Sequence, residues 1–103
     1  QLDTISSVLK DISKKIPDDI NWVLRVDGHT DKTPLSQNSI FKDNWELSQA
    51  RSLSVVKYMI NVHEINPKRL SAAGFGEHQP ISFSNSKEAL AKNRRIEFKL
   101  TER

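Results

Sequence analysis

The spacing of apolar residues in the first part of the chain predicts an amphipathic helix over residues 2–16. Apolar positions recur there at three- and four-residue steps, while charged residues such as Asp3 and Lys10 occupy the other side. Pro17 ends this helix because proline cannot continue the backbone hydrogen-bond ladder. The apolar positions are Leu2, Ile5, Val8, Leu9, Ile12 and Ile16.

Alternation of side chains with a period of two predicts three strands. The first covers residues 21–27, where Trp22, Leu24 and Val26 share one face, and we expect Gly28 to close it. The second is a short strand over residues 69–75, at the bend that runs from Gly74 to Gly76. The third covers residues 94–101, and its apolar positions are Ile96, Phe98 and Leu100.

A polar connection over residues 30–43 precedes a second predicted helix. Connections of this length are uncommon in a small domain and are often functional. Asp43 and Glu46 resemble a capping box, so the helix is expected to start there and to run to about Val62. Ser86 opens a brief third helix. The predicted buried positions of the second helix are Leu47, Ala50, Leu53, Val56, Met59 and Ile60.

The element order α-β-α-β-α-β, without internal repeats, indicates one α+β domain over residues 1–103. Hydrophobic residues make up 36% and charged residues 28% of the chain, which excludes a disordered tract. No run approaches the roughly 20 apolar residues that cross a bilayer. No basic segment followed by an apolar run comes after Gln1, so if the parent protein is exported or anchored, the segment responsible is expected to lie outside these residues.

Two compositional features reduce the number of possible function classes. The chain has no cysteine, which excludes disulfides and thiolate chemistry. Its net charge of +3 comes from basic residues spread along the chain rather than from a block of like charges. A nucleic-acid partner is therefore not expected, because such sites cluster their basic residues.

The first candidate cluster is formed by Asp27, His29 and Asp31, around Gly28. If the strand continued, the three side chains would point to one face and could hold a metal, or could serve a carboxylate-based hydrolase. The alternative is that His29 packs at the strand end while Asp31 starts a turn. Gly28 and the polar loop after it favour the alternative, and Glu77 has no sequence signal that places it near Asp31.

The second cluster comprises Asn44, Leu47, Ser48 and Arg51, which share one face of the predicted second helix. An amide, a hydroxyl and a guanidinium near a helix N-terminus suit an anionic group. The alternative is a solvated face on which Arg51 pairs with Glu46 or Asp31. Spacing alone favours this simpler interpretation.

Four ordered blocks resemble the OmpA-like peptidoglycan-binding domain. The match runs from about Val26 to Leu100, and within this superfamily the first two blocks are similar to MotB-type flagellar stator proteins. The blocks are Gly28-His29-Thr30-Asp31 with Pro34, Asn44-Trp45-Glu46-Leu47-Ser48 with Ala50-Arg51, Gly74-Phe75-Gly76-Glu77 with Pro80, and Asn93-Arg94-Arg95-Ile96-Glu97.

The resemblance implies a ligand, the diaminopimelate of the wall's stem peptide, which carries an ammonium and a carboxylate on one carbon. By this analogy Asp31 accepts the ammonium and Arg51 clamps the carboxylate. We also expect Asp31 and Arg51 to face each other, so that the ligand competes with that pair. The complete implied set is Thr30, Asp31, Asn44, Leu47, Ser48, Arg51 and Arg94, with no metal, cofactor or catalytic residue.

The resemblance also implies a fold and a location. The fold is a two-layer α/β sandwich with a mixed sheet and helices on one face, in the order βαβαβαβ, with its first strand missing here. The location is the bacterial periplasm, with a membrane tether outside these residues. Two departures stand out: the upstream strand and loop are absent, and Leu90 and Lys92 occupy a stretch where many members have an arginine.

Two other functions remain open. A metal-assisted or carboxylate-based wall hydrolase would need Asp27, His29 and Asp31 to converge. A protein-interaction module or homodimer would use an exposed sheet edge or the 34–42 loop.

Overall fold

The computed structural model describes residues 2–102. Its elements follow the predicted order α-β-α-β-α-β, with one 3₁₀ turn at Pro67–Arg69, and the small α+β fold class is confirmed. None of the helices in residues 2–102 has the length and apolar character that a bilayer crossing requires. The helices are α1 (Leu2–Lys15), α2 (Asn44–His63) and α3 (Lys87–Asn93), and the strands are β1 (Trp22–His29), β2 (Leu70–Gly74) and β3 (Arg95–Glu102).

The three strands form a mixed sheet with β1 in the centre. β2 lies parallel to β1, with Gly28 opposite Gly74, and β3 lies antiparallel to β1, with His29 opposite Arg95. β1 extends one residue beyond Gly28, which therefore does not close the strand as predicted. The residues that follow His29 consequently leave the sheet between the end of β2 and the start of β3.

The hydrophobic core lies between the sheet and the two long helices. Trp22 and Leu24 on β1 pack with Leu9 of α1 and Met59 of α2. Leu70 and Phe98, opposite Leu24 and Val26 in the neighbouring strands, extend the same face. The core is therefore concentrated at one end of β1, and polar residues surround the other end.

The buried face of α2 differs from the predicted one. Val56 and Met59 are buried as expected, but Leu53 is 40% exposed, whereas Ser48 and Ser52 are completely buried. The reason is close packing against glycine: a Cβ built on Gly28 would lie 2.3 Å from the Ser48 carbonyl oxygen. Small side chains on both surfaces let the helix approach the sheet, which turns the Ser48–Ser52 face inward.

The predicted start of α2 at Asp43 is confirmed. Asp43 Oδ1 accepts the backbone N–H of Glu46 at 2.9 Å, as an N-cap does. The Glu46 carboxylate accepts the backbone N–H of Lys42, one residue before the position it takes in a capping box. This cap fixes where the first turn of α2 begins, and so where the side chain of Asn44 lies.

Candidate functional site

Asp31 is the buried charge around which the candidate site is built. It lies just beyond β1, is only 8% exposed, and accepts two hydrogen bonds. Oδ1 accepts the backbone N–H of Thr33 at 2.8 Å, and Oδ2 accepts Nη1 of Arg94 at 2.6 Å. Burial alone would raise the pKa of Asp31, but the hydrogen bonds from Thr33 and Arg94 outweigh it and hold the pKa below its usual value. Asp31 is thus a stabilised carboxylate.

Sheet register explains why Arg94 reaches Asp31. His29 lies opposite Arg95 in the antiparallel pair, so the residues just outside it, Thr30 and Arg94, leave the sheet side by side. Arg51, in contrast, is exposed, and its side chain makes no hydrogen bond or ion pair within residues 2–102. The expectation that Arg51 faces Asp31 as its ionic partner is therefore wrong for this structure, and so is a pair with Glu46.

Thr30 positions the loop that carries Asp31. It is 4% exposed, its backbone N–H donates to the carbonyl of Gly76 at 2.9 Å, and its hydroxyl donates to the carbonyl of Asp31 at 2.8 Å. The N–H of Phe75 donates in turn to Gly28. The 29–31 segment is therefore fastened to the bend that follows β2, which fixes the direction of the Asp31 side chain.

Asn44, at the first position of α2, links three parts of the site. Its Nδ2 lies 3.4 Å from the carbonyl of Asp31, 3.3 Å from that of Thr33 and 3.1 Å from Oε1 of Glu77. Because an amide has two hydrogens, these three acceptors share them. Glu77, which no sequence signal placed near Asp31, is thereby brought to the site.

Ser48 and Leu47 lie deeper along the same helix. The Ser48 hydroxyl accepts the N–H of Gly76 at 2.9 Å and donates to the carbonyl of Trp45 at 3.0 Å, and the residue is completely buried. Leu47 is half-buried. Ser48 thus secures the bend before Glu77.

The Asp27 and His29 side chains lie on a different surface from the Asp31 carboxylate. Because Gly28 faces α2, both neighbours point to the opposite face of the sheet. Asp27 accepts two hydrogen bonds from Arg25, at 2.7 and 2.9 Å. His29 stacks on Phe75, with ring centroids 5.1 Å apart. Within residues 2–102 no three histidine, aspartate or glutamate side chains form a metal-binding group.

Asn93 is a site residue whose role the sequence did not reveal. It is 5% exposed, its Oδ1 accepts the N–H groups of Ile81 and Ser82, and its Nδ2 donates to the carbonyl of Ser82. It therefore clamps the segment that follows Glu77. The only sequence signal was its place in the Asn93-Arg94-Arg95 block, which named no partner.

Two cavities open beside the site and share Glu77. One, of about 570 Å³, lies between the 34–43 loop and the start of α2 and includes Lys42 and Asn44 in its lining. The other, of about 160 Å³, is bounded by Lys32, Pro80 and Phe83. The candidate site therefore continues into a recess on each side of Glu77.

The family model and the curated relatives that match this chain all point to one protein family. A model of the OmpA family matches residues 1–94. Motility protein B of Bacillus subtilis is 38% identical over 72 residues, which are 70% of this chain and 27% of that protein. Outer membrane protein Omp38 of Acinetobacter baumannii is 35% identical over 102 residues, or 91% and 27% of the two chains. This chain thus spans about a quarter of the length of these curated relatives.

Solved structures show the same relationship. The C-terminal domain of Helicobacter pylori MotB superposes with a TM-score of 0.79 at 33% identity, covering 97% of this chain and 72% of that one. A putative MotB-like protein from Desulfovibrio vulgaris gives 0.75 at 38% identity, covering 98% and 60%. The peptidoglycan-associated lipoprotein of Burkholderia pseudomallei, at 19% identity and a TM-score of 0.75, covers 97% and 74% and shows the fold alone.

Proposed function

The chain belongs to the OmpA family, and from this premise we propose that it binds peptidoglycan non-covalently through the diaminopimelate of the stem peptide. The observation that carries the proposal is the buried Asp31 carboxylate paired with Arg94, with Arg51 free of any ionic partner in the described part of the chain. One anionic and two cationic groups on separate elements are complementary to a ligand end that carries both charges.

The ligand ammonium binds Asp31 by taking the place of Arg94. The Asp31 side chain is only 10% exposed, whereas Arg94 is 46% exposed, so Arg94 is the partner that can move toward solvent. Asp31 is not left unpaired by the exchange, which matters because an unpaired buried charge is costly. Arg94, once released, and Arg51 then hold the ligand carboxylate through charge-assisted hydrogen bonds.

This exchange predicts selectivity for a zwitterionic ligand. An ammonium without a neighbouring carboxylate displaces Arg94 but gives the guanidinium no new partner, and two cations then lie close together. A ligand such as a lysine side chain is therefore disfavoured by repulsion as well as by the missing contact.

The other residues implied by the resemblance assist the contacts of the ligand with Asp31, Arg51 and Arg94. The Oδ1 atom of Asn44 accepts no hydrogen bond within residues 2–102, so it is free to accept one from the ligand ammonium. Leu47 is assigned to the helix side of the site, as the family resemblance implies, and Thr30 and Ser48 act by fixing the loop and the bend around it.

The domain binds the wall without converting it and uses no metal or cofactor. A hydrolase built on Asp27, His29 and Asp31 is not favoured, since Asp27 pairs with Arg25 and His29 stacks on Phe75 on the other face of the sheet. In the cell, the domain anchors a periplasmic envelope protein, such as a MotB-type stator subunit, through a membrane tether outside this chain. Several copies of the domain on one assembly increase the overall avidity for the wall.

The test is co-sedimentation with purified sacculi. Asp31→Asn and Arg51→Gln are compared with Asp19→Asn and Lys57→Gln, which remove the same charges at exposed positions away from the site. We expect wild type and both controls to pellet with the wall and the two site variants to remain in solution, with circular dichroism showing that all are folded. Folded wild type that stays in the supernatant, or site variants that pellet as well as the controls, would contradict the proposal.

A further inference from the structure

His29 is a nearly buried imidazole that the proposed binding mode does not use. It is 3% exposed, its ring stacks on Phe75 with centroids 5.1 Å apart, and neither ring nitrogen has a hydrogen-bond partner within residues 2–102. Whichever nitrogen carries the hydrogen of the neutral ring, that N–H is buried without an acceptor. A second proton, taken from solvent, would place a charge there and make an acceptor necessary.

Charged side chains on the sheet face opposite α2 surround this ring. Residues that lie opposite each other in an antiparallel pair share a face, so the outward-pointing side chains of β3 lie beside His29. The bend after β2 contributes Phe75, which is uncharged. Burial, followed by the positive charge of Arg95, lowers the pKa of His29, so the ring is neutral at pH 7. The charged groups of this face are Arg25 and Asp27 on β1 and Arg95, Glu97 and Lys99 on β3.

Glu97 is the acceptor that a protonated His29 can reach. Its Oε2 lies 3.9 Å from Nε2 of His29 and 2.5 Å from Nε of Arg95. Among residues 2–102, Glu97 is the one carboxylate within 4.0 Å of a ring nitrogen of His29. One carboxylate therefore lies between two groups, and a neutral ring leaves it with Arg95. A buried imidazolium would compete for it, and Glu97 is 35% exposed and free to turn.

Arg95 connects this face of the sheet to the candidate site. Its Nη2 donates to the carbonyl of Gln79 at 2.9 Å, and its Nη1 donates to the carbonyl of Asn93 at 3.3 Å. The Asn93 side chain in turn accepts the backbone N–H groups of Ile81 and Ser82. The guanidinium therefore joins the start of β3 to the segment 79–82, and the carboxylate bound to its Nε holds the guanidinium in this position.

We propose that His29 is a proton-binding site that controls the candidate site through Glu97 and Arg95. On taking a proton from solvent, the ring attracts Glu97 away from Arg95. Arg95 then holds its two backbone carbonyls less firmly, and residues 79–82, which follow Glu77 at the edge of the candidate site, become looser. The effect on ligand affinity rests on the proposed function, whereas the effect on residues 79–82 does not.

The first arm of the test needs no ligand. NMR spectra of the folded domain are recorded from pH 7.5 to 5.0, following the His29 ring and the backbone N–H signals of Ile81 and Ser82. We expect these two signals to shift with the same midpoint as the ring. In Glu97→Gln the ring should still titrate, but the two signals should no longer follow it, because a neutral side chain is not drawn to the imidazolium. His63→Gln, at the other end of α2, should behave as wild type does.

Two results of this arm would overturn the coupling. One is that the Ile81 and Ser82 signals stay constant while the His29 ring titrates. The other is that they follow the ring equally in wild type and in Glu97→Gln, which would show that the carboxylate transmits nothing.

The second arm measures the dissociation constant of free meso-diaminopimelate by calorimetry at pH 7.0 and 5.0. The ligand's carboxyl groups stay ionised and its amino groups stay protonated over this window. Asp31 and Glu97 stay ionised as well, since the pKa of each carboxyl lies below its usual value. We expect wild type to bind about fivefold more weakly at pH 5.0, the effect of losing one partly solvated ion pair.

Two histidine variants locate the source of this loss. His29→Phe, which retains a ring against Phe75, should bind as wild type does at pH 7.0 and should not weaken at pH 5.0. His78→Gln removes the ring that stacks on Trp45 and should weaken at pH 5.0 as wild type does.

The outcomes separate the two proposals. Equal affinity of wild type at both pH values, or the same loss in His29→Phe, would overturn control of the ligand by His29 while leaving the diaminopimelate site intact. Folded wild type that binds the ligand at neither pH would overturn the proposed function, and the first arm would then decide the coupling of His29 to residues 79–82 by itself.

Discussion

The guanidinium of Arg94 donates a 2.6 Å hydrogen bond to the carboxylate of Asp31, joining residues 63 positions apart in sequence. Asp31 is nearly buried and is also held by the backbone N–H of Thr33, while Arg94 is half-exposed. The pair therefore joins a nearly buried anion to a half-exposed cation. In the proposed function, this asymmetry lets a ligand ammonium replace Arg94 without exposing the carboxylate.

Arg94→Gln should destabilise the fold because it leaves the Asp31 charge with the Thr33 bond alone. We expect a loss of about 1–2 kcal/mol in the free energy of unfolding at pH 7, less than for a fully buried pair because Arg94 is half in solvent. Urea denaturation of wild type and variant measures this loss in the free energy of unfolding. The double variant Asp31→Asn/Arg94→Gln should lose less than the sum of the single variants, and strict additivity would show that the pair is not coupled.

Arg94→Gln should also reduce the preference for diaminopimelate over lysine. Wild type is expected to prefer a diaminopimelate tripeptide over its lysine counterpart by about tenfold, as charge-assisted contacts to a carboxylate allow. In the variant, the affinity for the lysine tripeptide should rise because its ammonium no longer displaces a guanidinium. The difference in affinity between the two tripeptides should therefore become smaller. Arg51→Gln serves as the comparison and should weaken diaminopimelate binding without strengthening lysine binding. Parallel losses for both ligands in Arg94→Gln would exclude the exchange.

Stability should depend on the titration of Asp31 at acidic pH. Its folded-state pKa lies below the usual value, so its contribution is complete above the unfolded pKa of about 3.9 and is lost as pH falls through the folded pKa. The difference in unfolding free energy between wild type and Asp31→Asn should therefore shrink as pH falls from 6 to 2. A difference that stays constant over this range would contradict the low pKa.

His29 should make the domain less stable at mildly acidic pH. Burial lowers the pKa of His29, as do the positive charges of Arg95 and Lys99, and together these effects outweigh the opposing effect of Glu97 and Asp27. A histidine kept neutral in the fold contributes stability above its unfolded pKa of about 6.5, and this contribution is lost as pH falls. Thermal melts should show a decrease between pH 7.5 and 5.5 that is smaller in His29→Phe, which retains a ring against Phe75. An equal decrease in both proteins would rule out His29 as its source.

Gly28→Ala should disrupt the contact between α2 and the sheet. The added methyl would lie 2.3 Å from the Ser48 carbonyl oxygen, so the helix must move, at a cost of about 2–3 kcal/mol. Gly76→Ala is a useful comparison, because its Cβ meets ordinary contacts and only the left-handed backbone is strained, by about 1 kcal/mol. Chemical denaturation that ranked the two variants in the opposite order would contradict this view of the interface.

Local sequence signals predicted most of the fold. The N-cap at Asp43, the three strands and the three helices all follow from side-chain period and capping chemistry. The inward face of α2 could not be predicted this way, because periodicity favours large apolar residues and carries no information about a glycine on the opposing strand. Leu53 is exposed and Ser52 buried for that reason.

The contacts that form the site join residues far apart in sequence, so local sequence patterns could not predict them. The sequence nominated Asp31 and Arg94 separately, but their ion pair depends on the register that places His29 opposite Arg95. Glu77 and Asn93 act through contacts with residues 11 to 33 positions away, which spacing along one helix or strand cannot reveal. The ligand-binding roles of the nominated residues stay predictions.

The most direct test of the central claim is an NMR titration of the folded domain with free meso-diaminopimelate, following the guanidinium Nε–Hε signals of Arg51 and Arg94 and the backbone amides of residues 30–33. We predict saturable shifts in both arginine signals and in these amides, and loss of all of them in Asp31→Asn. Unchanged arginine signals at millimolar ligand, or shifts that persist in Asp31→Asn, would contradict the claim that this site binds diaminopimelate.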